Sequence, residues 1–220
     1  FHDPDGIKEY KKEMLGRLKD DKVVQAYRNM GTPMMVDILN NAGAFPTEYW
    51  KRGRFEKKDN INAAAMAERL DSKPHACKDC FLGCGKNSEV QQGRHKGLKL
   101  EGPEYETIYA FGGLCMIDEI EEIAYLNRLC DSLGVDTISS GNLAAFSIEA
   151  SKKGKINETL EYGSADDVAG LIKKIANRQG VGGILAEGIK PVAEELDMQE
   201  DAVHVKGMEP AGYDPRMLKG

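Results

Sequence analysis

From Gly6 to about Arg28 the apolar residues Ile7, Tyr10, Met14, Leu15, Leu18, Val23, Val24 and Ala26 mostly recur at helical spacing, with a slip at Asp20 and Asp21. That period predicts a helix, or two short ones meeting at the slip. Gly31-Thr32-Pro33 then interrupts. Thr32 is suited to cap and Pro33 to a first helical turn, and Met35 to Leu39 carries the next helix until Asn40-Asn41-Ala42-Gly43 stops it. Phe45 to Phe55, with Pro46, Trp50 and Gly53, reads as an ordered loop, and a helix from about Ile61 to Leu70 leads into a cysteine-rich loop.

Beyond that loop, Ser88 to Glu101 is polar and alternates briefly at Gly97-Leu98-Lys99-Leu100, which suits a small hairpin. Ile117, Ile120, Ile123, Ala124, Leu126, Cys130 and Leu133 form an apolar helical stripe, with Glu119, Glu121 and Glu122 expected outside and Gly134 as its stop. Thr137 to Ala150 reads as helical with Asp136 as its cap. Ser164 is a good N-cap for a helix through Val168, Leu171, Ile172, Ile175 and Ala176 that closes at Gly180. Gly180 to Gly183 reads as a helix-to-helix turn, and a last helix spans about Ala186 to Leu196. The class is mainly α, with at most a small hairpin. The expected division is a helical domain over 1–155 that carries the cysteine loop, and a partial second helical domain over 156–220.

Charge narrows the function. The formal net charge of -6, with basic and acidic residues interleaved, argues against a nucleic-acid surface, which needs clustered lysine and arginine. No apolar run approaches a membrane span and no signal peptide is present. Closely spaced, reduced cysteines suit a cytoplasmic compartment. The first residue is Phe1 and the last is Gly220, directly after a turn-like Tyr213-Asp214-Pro215-Arg216, which suggests a piece of a longer chain. Phosphate-binding glycine loops and a serine-hydrolase elbow are absent from the sequence.

Candidate chemistry concentrates in Ala76 to Gly85, where Cys77, Cys80 and Cys84 follow a Cys-x2-Cys-x3-Cys order. Thiolates spaced in this way suit an iron–sulfur cluster, each binding its own iron, with a fourth ligand supplied from elsewhere. Zinc is the rival, with His75 or His95 completing a Cys3His set in a small structural or interaction module. Cys115 and Cys130 lie in apolar surroundings and read as small buried hydrophobes.

Several further patches acquire meaning together. Glu101-Gly102-Pro103-Glu104-Tyr105-Glu106-Thr107 follows the cysteines, then Asp136-Thr137-Ile138-Ser139-Ser140-Gly141-Asn142, Leu185-Ala186-Glu187-Gly188, His204-Val205-Lys206-Gly207-Met208-Glu209 and Tyr213-Asp214-Pro215-Arg216. In this order, from about Gly31 to Gly220, they resemble the aldehyde ferredoxin oxidoreductase family of tungsten and molybdenum bis-pterin enzymes. The resemblance covers the family's mostly helical second domain and part of its third. The family's β-rich first domain and its fourth cluster cysteine have no counterpart in the sequence.

The resemblance implies that Cys77, Cys80 and Cys84 are [4Fe-4S] ligands. It implies that Asp136 and Lys206 contact the pterin, Asp136 as part of an Asp-x-x-x-x-Gly turn. By the same resemblance, Glu104 and His204 look like the family's glutamate and histidine that handle protons near the metal, with Glu101 and Glu106 sharing the glutamate motif. For the whole protein it implies oxidation of a small aldehyde, or a related substrate, to a carboxylic acid, with electrons passing through the cluster to ferredoxin or a similar acceptor. A homodimer is also known in the family. A cofactor-free helical domain is the alternative for the chain alone.

Overall fold

The computed structural model describes residues 2–217. The slip at Asp20 and Asp21 separates α1, Pro4–Leu18, from α2, Lys22–Met30. Asp21 caps α2 by accepting from the amides of Val23 and Val24 at 2.9 and 3.0 Å, satisfying amides that the helix itself leaves unpaired. A 3-10 turn, Thr32–Met34, opens into α3, Met35–Ala42, which ends on Gly43 at φ 74 as expected for a left-handed stop. Thr32 does not cap it. Its hydroxyl instead accepts the amide of Tyr105 at 2.9 Å and donates to the Glu104 carboxylate.

After α4, Ala63–Arg69, come β1, Lys73–His75, β2, Gly85–Glu89, and β3, Lys99–Glu101, an antiparallel sheet in the order β1-β2-β3. The predicted hairpin is β2 and β3. The additional strand β1 is three residues long and contains Pro74, too short and irregular for alternation to reveal it. The cysteine loop is the connection from β1 to β2, closed by the pairing of His75 with Gly85.

The remainder is helical: α5, Tyr105–Ile108, runs directly into a π-helical turn, Tyr109–Leu114, followed by α6, Ile120–Leu133, α7, Thr137–Lys152, α8, Ala165–Ala176, α9, Gly182–Leu185, and α10, Ile189–Glu195. The π turn is entirely buried and forms the middle of the core. Helix α7 crosses it so closely that a Cβ on Gly141 would lie 2.6 Å from the Ala110 Cβ and 2.8 Å from its carbonyl oxygen. Gly141 is therefore a helix-crossing residue inside α7, not the end of a turn beginning at Asp136.

Glu121 and Glu122 are not outside. They are buried at 4% and 9% exposure, and α6 turns them toward the Arg69 and Arg94 guanidinium groups. The apolar stripe alone could not show this, because the cations come from distant parts of the chain. Arg94 reaches Glu122 with two nitrogens, at 2.8 and 2.7 Å, while His95 approaches the same carboxylate at 3.1 Å and stacks on Tyr125.

The last segment, Val203 to Met217, contains no helix or extended strand among its described residues, yet side chains fix it along its length. The Val203 amide donates to the Tyr49 hydroxyl at 3.2 Å, Tyr109 donates to the Pro210 carbonyl at 2.6 Å, and the Asp214 amide donates to the Ala44 carbonyl at 3.0 Å. This strap positions much of the candidate site.

Candidate functional site

The cysteine loop is a surface feature with a built support. The Cys80 amide donates to the Cys77 carbonyl at 3.0 Å, and Asp79 and Gly83 adopt positive φ of 62 and 61. Cys77 and Cys80 are exposed, Cys84 is half-buried, and all are free thiols. Behind the loop, Arg28 Nε donates to the carbonyls of Phe81 and Leu82 at 3.2 and 3.3 Å. Lys86, only 3% exposed, donates to the Arg28 carbonyl at 2.9 Å. Burial pulls its ammonium below the usual lysine range, opposed by Glu104 and Cys84.

Three accessible thiols with no disulfide between them have the donor chemistry of an iron–sulfur ligand set. Among the described residues, no three His, Cys, Asp or Glu side chains converge closely enough to hold one metal ion. A cluster gives each thiolate its own iron, whereas a Cys3His zinc site needs all its donors around one point. The histidines considered for zinc are otherwise engaged: His75 Nδ1 lies 3.3 Å from the Asn87 amide and Nε2 3.4 Å from Glu101, and His95 is held by Glu122 and Tyr125.

The glutamate motif resolves into different surroundings. Glu101 is exposed beside His75. Glu104 and Glu106 line one cavity of about 350 Å³ with Tyr27, Thr32, Met35, Tyr105 and Tyr213. Glu104 is held by Thr32. Glu106 accepts the Gly212 amide at 3.0 Å. Burial raises its carboxyl above the ordinary glutamate range, the Gly212 bond opposes the rise, and the charge of Asp136 adds to it.

A second cavity, of about 280 Å³, lies at the start of α7. It is lined by Asp136, Ser139 and Ser140, by Leu185 to Gly188, and by Glu209 on the strap. Three patches widely separated in sequence thus share one groove. Asp136 caps α7 through a 2.7 Å bond from the Ser139 amide, and the Ser139 hydroxyl donates to Glu209 at 3.0 Å.

His204 and Lys206 line neither cavity. They belong to a tight turn in which Val205 and Met208 exchange backbone bonds of 2.8 and 3.1 Å, and Lys206 and Gly207 both have positive φ, 56 and 89. This is the backbone of a primed hairpin turn. His204 Nδ1 accepts the Gly207 amide at 3.1 Å, so its Nε2 remains the ring position for other partners.

Sequence reasoning passed over Arg28, Lys86 and Glu209 as individual functional residues. Arg28 falls in a solvated-looking helix, and its loop contacts lie 53 and 54 positions away. The Cys84-Gly85-Lys86 adjacency was the available signal for Lys86.

The chain is similar to known proteins over most of its length. The family model described as aldehyde ferredoxin oxidoreductase, domains 2 and 3, matches residues 9–220. The chain is 31% identical over 217 residues to the tungsten-containing aldehyde ferredoxin oxidoreductase of Pyrococcus furiosus, covering 95% of this chain and 35% of that protein. The corresponding protein of Thermococcus kodakarensis is 32% identical over 217 residues, with the same coverages. An aliphatic sulfonate oxidoreductase WOR-like subunit of P. furiosus is 34% identical over 175 residues, 74% of this chain and 28% of the subunit. The chain therefore spans about a third of the length of these curated relatives. The fold also resembles the active-site complex BamBC of benzoyl coenzyme A reductase, with a TM-score of 0.63 at 19% identity, covering 84% of this chain and 29% of that one. With a family match across nearly its whole length, the chain belongs to the aldehyde ferredoxin oxidoreductase family of oxidoreductases, as its domain 2 and 3 region.

Proposed function

We propose that this region contributes three cluster ligands and one wall of a pterin–metal site to an oxidoreductase that converts small aldehydes to carboxylic acids. The supporting observation is the shared groove of Asp136, Ser139, Glu187 and Glu209, formed from separated patches. Its carboxylates suit the amino and ring N–H donors of a pterin, which they accept as hydrogen bonds. Lys206, exposed on its turn and outside the groove, is assigned to the pterin by the family resemblance alone.

Cys77, Cys80 and Cys84 would hold the [4Fe-4S] cluster. A tungsten or molybdenum bis-pterin, when bound, supplies the two-electron redox chemistry. Aldehyde oxidation consumes one water and releases two protons and two electrons, so the protein must also move protons. Glu104 and Glu106 share one cavity, and burial raises the Glu106 carboxyl above the ordinary glutamate range, which favours it over an exposed carboxylate as the group that takes and returns a proton. His204 would act as a second proton carrier through Nε2. Ferredoxin or a related carrier is the proposed electron acceptor.

For the chain alone a second reading has its own support. Cys77, Cys80 and Cys84 supply three ligands where a [4Fe-4S] cluster takes four, which suits a cofactor-free helical domain until a further ligand closes the site. Metal and sulfide analysis after anaerobic purification tests both readings. Iron and sulfide in equal amounts support the cluster, absence of metal supports the cofactor-free domain, and one zinc per chain contradicts both.

A further inference from the structure

The connector from α2 to α3 touches both parts of the candidate site. Arg28, in the last turn of α2, presents Nε to the Phe81 and Leu82 carbonyls at 3.2 and 3.3 Å, and its Nη2 also bonds Phe81. Its own carbonyl accepts the buried Lys86 ammonium at 2.9 Å. Helix α2 is therefore joined to the cysteine loop through the Arg28 side chain and to the start of β2, two residues after Cys84, through the Arg28 carbonyl. Three residues later, Gly31 has φ +69, and a Cβ there would lie 2.8 Å from the Cys84 carbonyl oxygen. Thr32 then bonds Glu104 and the Tyr105 amide.

We propose that Arg28 is a positioning residue for the Cys77–Cys84 loop, and that the segment from Arg28 to Thr32 sets the loop's place relative to the Glu104 cavity. A planar guanidinium can serve adjacent carbonyls at fixed angles, which a single ammonium cannot reproduce. The loop crosses positive φ at Asp79 and Gly83, and Asp79 adopts that conformation without glycine's freedom. A bond from outside opposes relaxation of such a loop. Arg28 thus holds the thiols in place before a cofactor binds, which lowers the ordering cost of binding.

The proposal rests on the reading of the loop as a cluster ligand set, but its first test does not. Arg28→Ala and Arg28→Lys are compared with the unaltered chain by NMR-detected amide exchange, after circular dichroism confirms the same helix content. The Cys80 amide, bonded to the Cys77 carbonyl, should exchange at least about ten-fold faster in Arg28→Ala, which removes every guanidinium bond to the Phe81 and Leu82 carbonyls. Arg28→Lys should recover only part of that protection. The Gly102 amide, bonded to the Lys86 carbonyl at 2.7 Å, should be unchanged. Unaltered Cys80 exchange in Arg28→Ala overturns the proposal.

The second readout is anaerobic uptake of iron and sulfide with a small thiol added, followed by visible absorbance. Arg28→Ala should load more slowly than the unaltered chain. If Cys80 exchange rises but neither chain loads, the positioning role stands and the ligand reading fails. If the unaltered chain loads and Cys80 exchange is the same in both, the ligand reading stands and the positioning role fails.

Discussion

Ser139 donates its hydroxyl to the Glu209 carboxylate at 3.0 Å, tying the first turn of α7 to a strap 70 residues further along the chain. The strap crosses between the two cavities. Glu209 faces the groove at α7, the Gly212 amide holds Glu106, and Tyr213 lines the neighbouring cavity. One irregular segment therefore sets the spacing of the proposed pterin wall and the proposed proton-handling carboxylates.

The strap is anchored through Asn142, which is 1% exposed. Asn142 accepts the Trp50 indole N–H at 3.1 Å and donates to the Tyr109 hydroxyl at 3.1 Å, and Tyr109 in turn donates to Pro210. Asn142→Ala leaves the Trp50 donor buried without its partner and should cost about 1–3 kcal/mol in urea unfolding. Trp50 is the only tryptophan, so its fluorescence should change with the same substitution.

Two glycines in neighbouring helices should respond in opposite senses. Gly141→Ala places a methyl against Ala110 at 2.6 Å and should destabilise by about 1–3 kcal/mol despite alanine's better helix propensity. Gly170 lies inside α8 with nothing within 4 Å of an added Cβ, and Gly170→Ala should stabilise by about 0.5–1 kcal/mol. Thermal melts of both variants check the pair.

Acid should weaken the anchor on α6. Burial alone would raise the Glu122 carboxyl, but bonds from Arg94 and His95 outweigh it and hold the folded-state value below 4.5. Its contribution is therefore present above the unfolded value and is lost as pH falls through the folded one. Unfolding followed from pH 7 downward should show less acid sensitivity in Glu122→Gln, which starts less stable at neutral pH.

Thiol accessibility should separate the cysteines. Cys77 and Cys80 are exposed and should react readily with a disulfide reagent in the native, metal-free chain. Cys115 and Cys130 are buried, and burial pushes the Cys130 thiol up to about 11, leaving little reactive thiolate at pH 8. They should react only after denaturant is added.

Much of this was legible in the sequence because local rules carry it. The slip at Asp20 and Asp21, the Gly43 and Gly134 stops and the Ser164 cap all appear in the fold. What escaped depends on partners far along the chain. Burial of Glu121 and Glu122 requires Arg69 and Arg94, the role of Thr32 requires Glu104 and Tyr105, and the strap is held by side chains of the core. Asp136 shows the division well: its cap on α7 follows from local propensity, while its place in a shared groove follows only from the tertiary fold.

Cys77, Cys80 and Cys84 are the proposed iron–sulfur ligand set. The direct measurement is visible absorbance, with iron and sulfide analysis, after anaerobic reconstitution of the chain and of Cys80→Ser in the presence of a small thiol that can fill a fourth position. A brown chain holding iron and sulfide, with both lost in Cys80→Ser, is the predicted result. A chain that stays colourless, or colour that persists unchanged in Cys80→Ser, would contradict it.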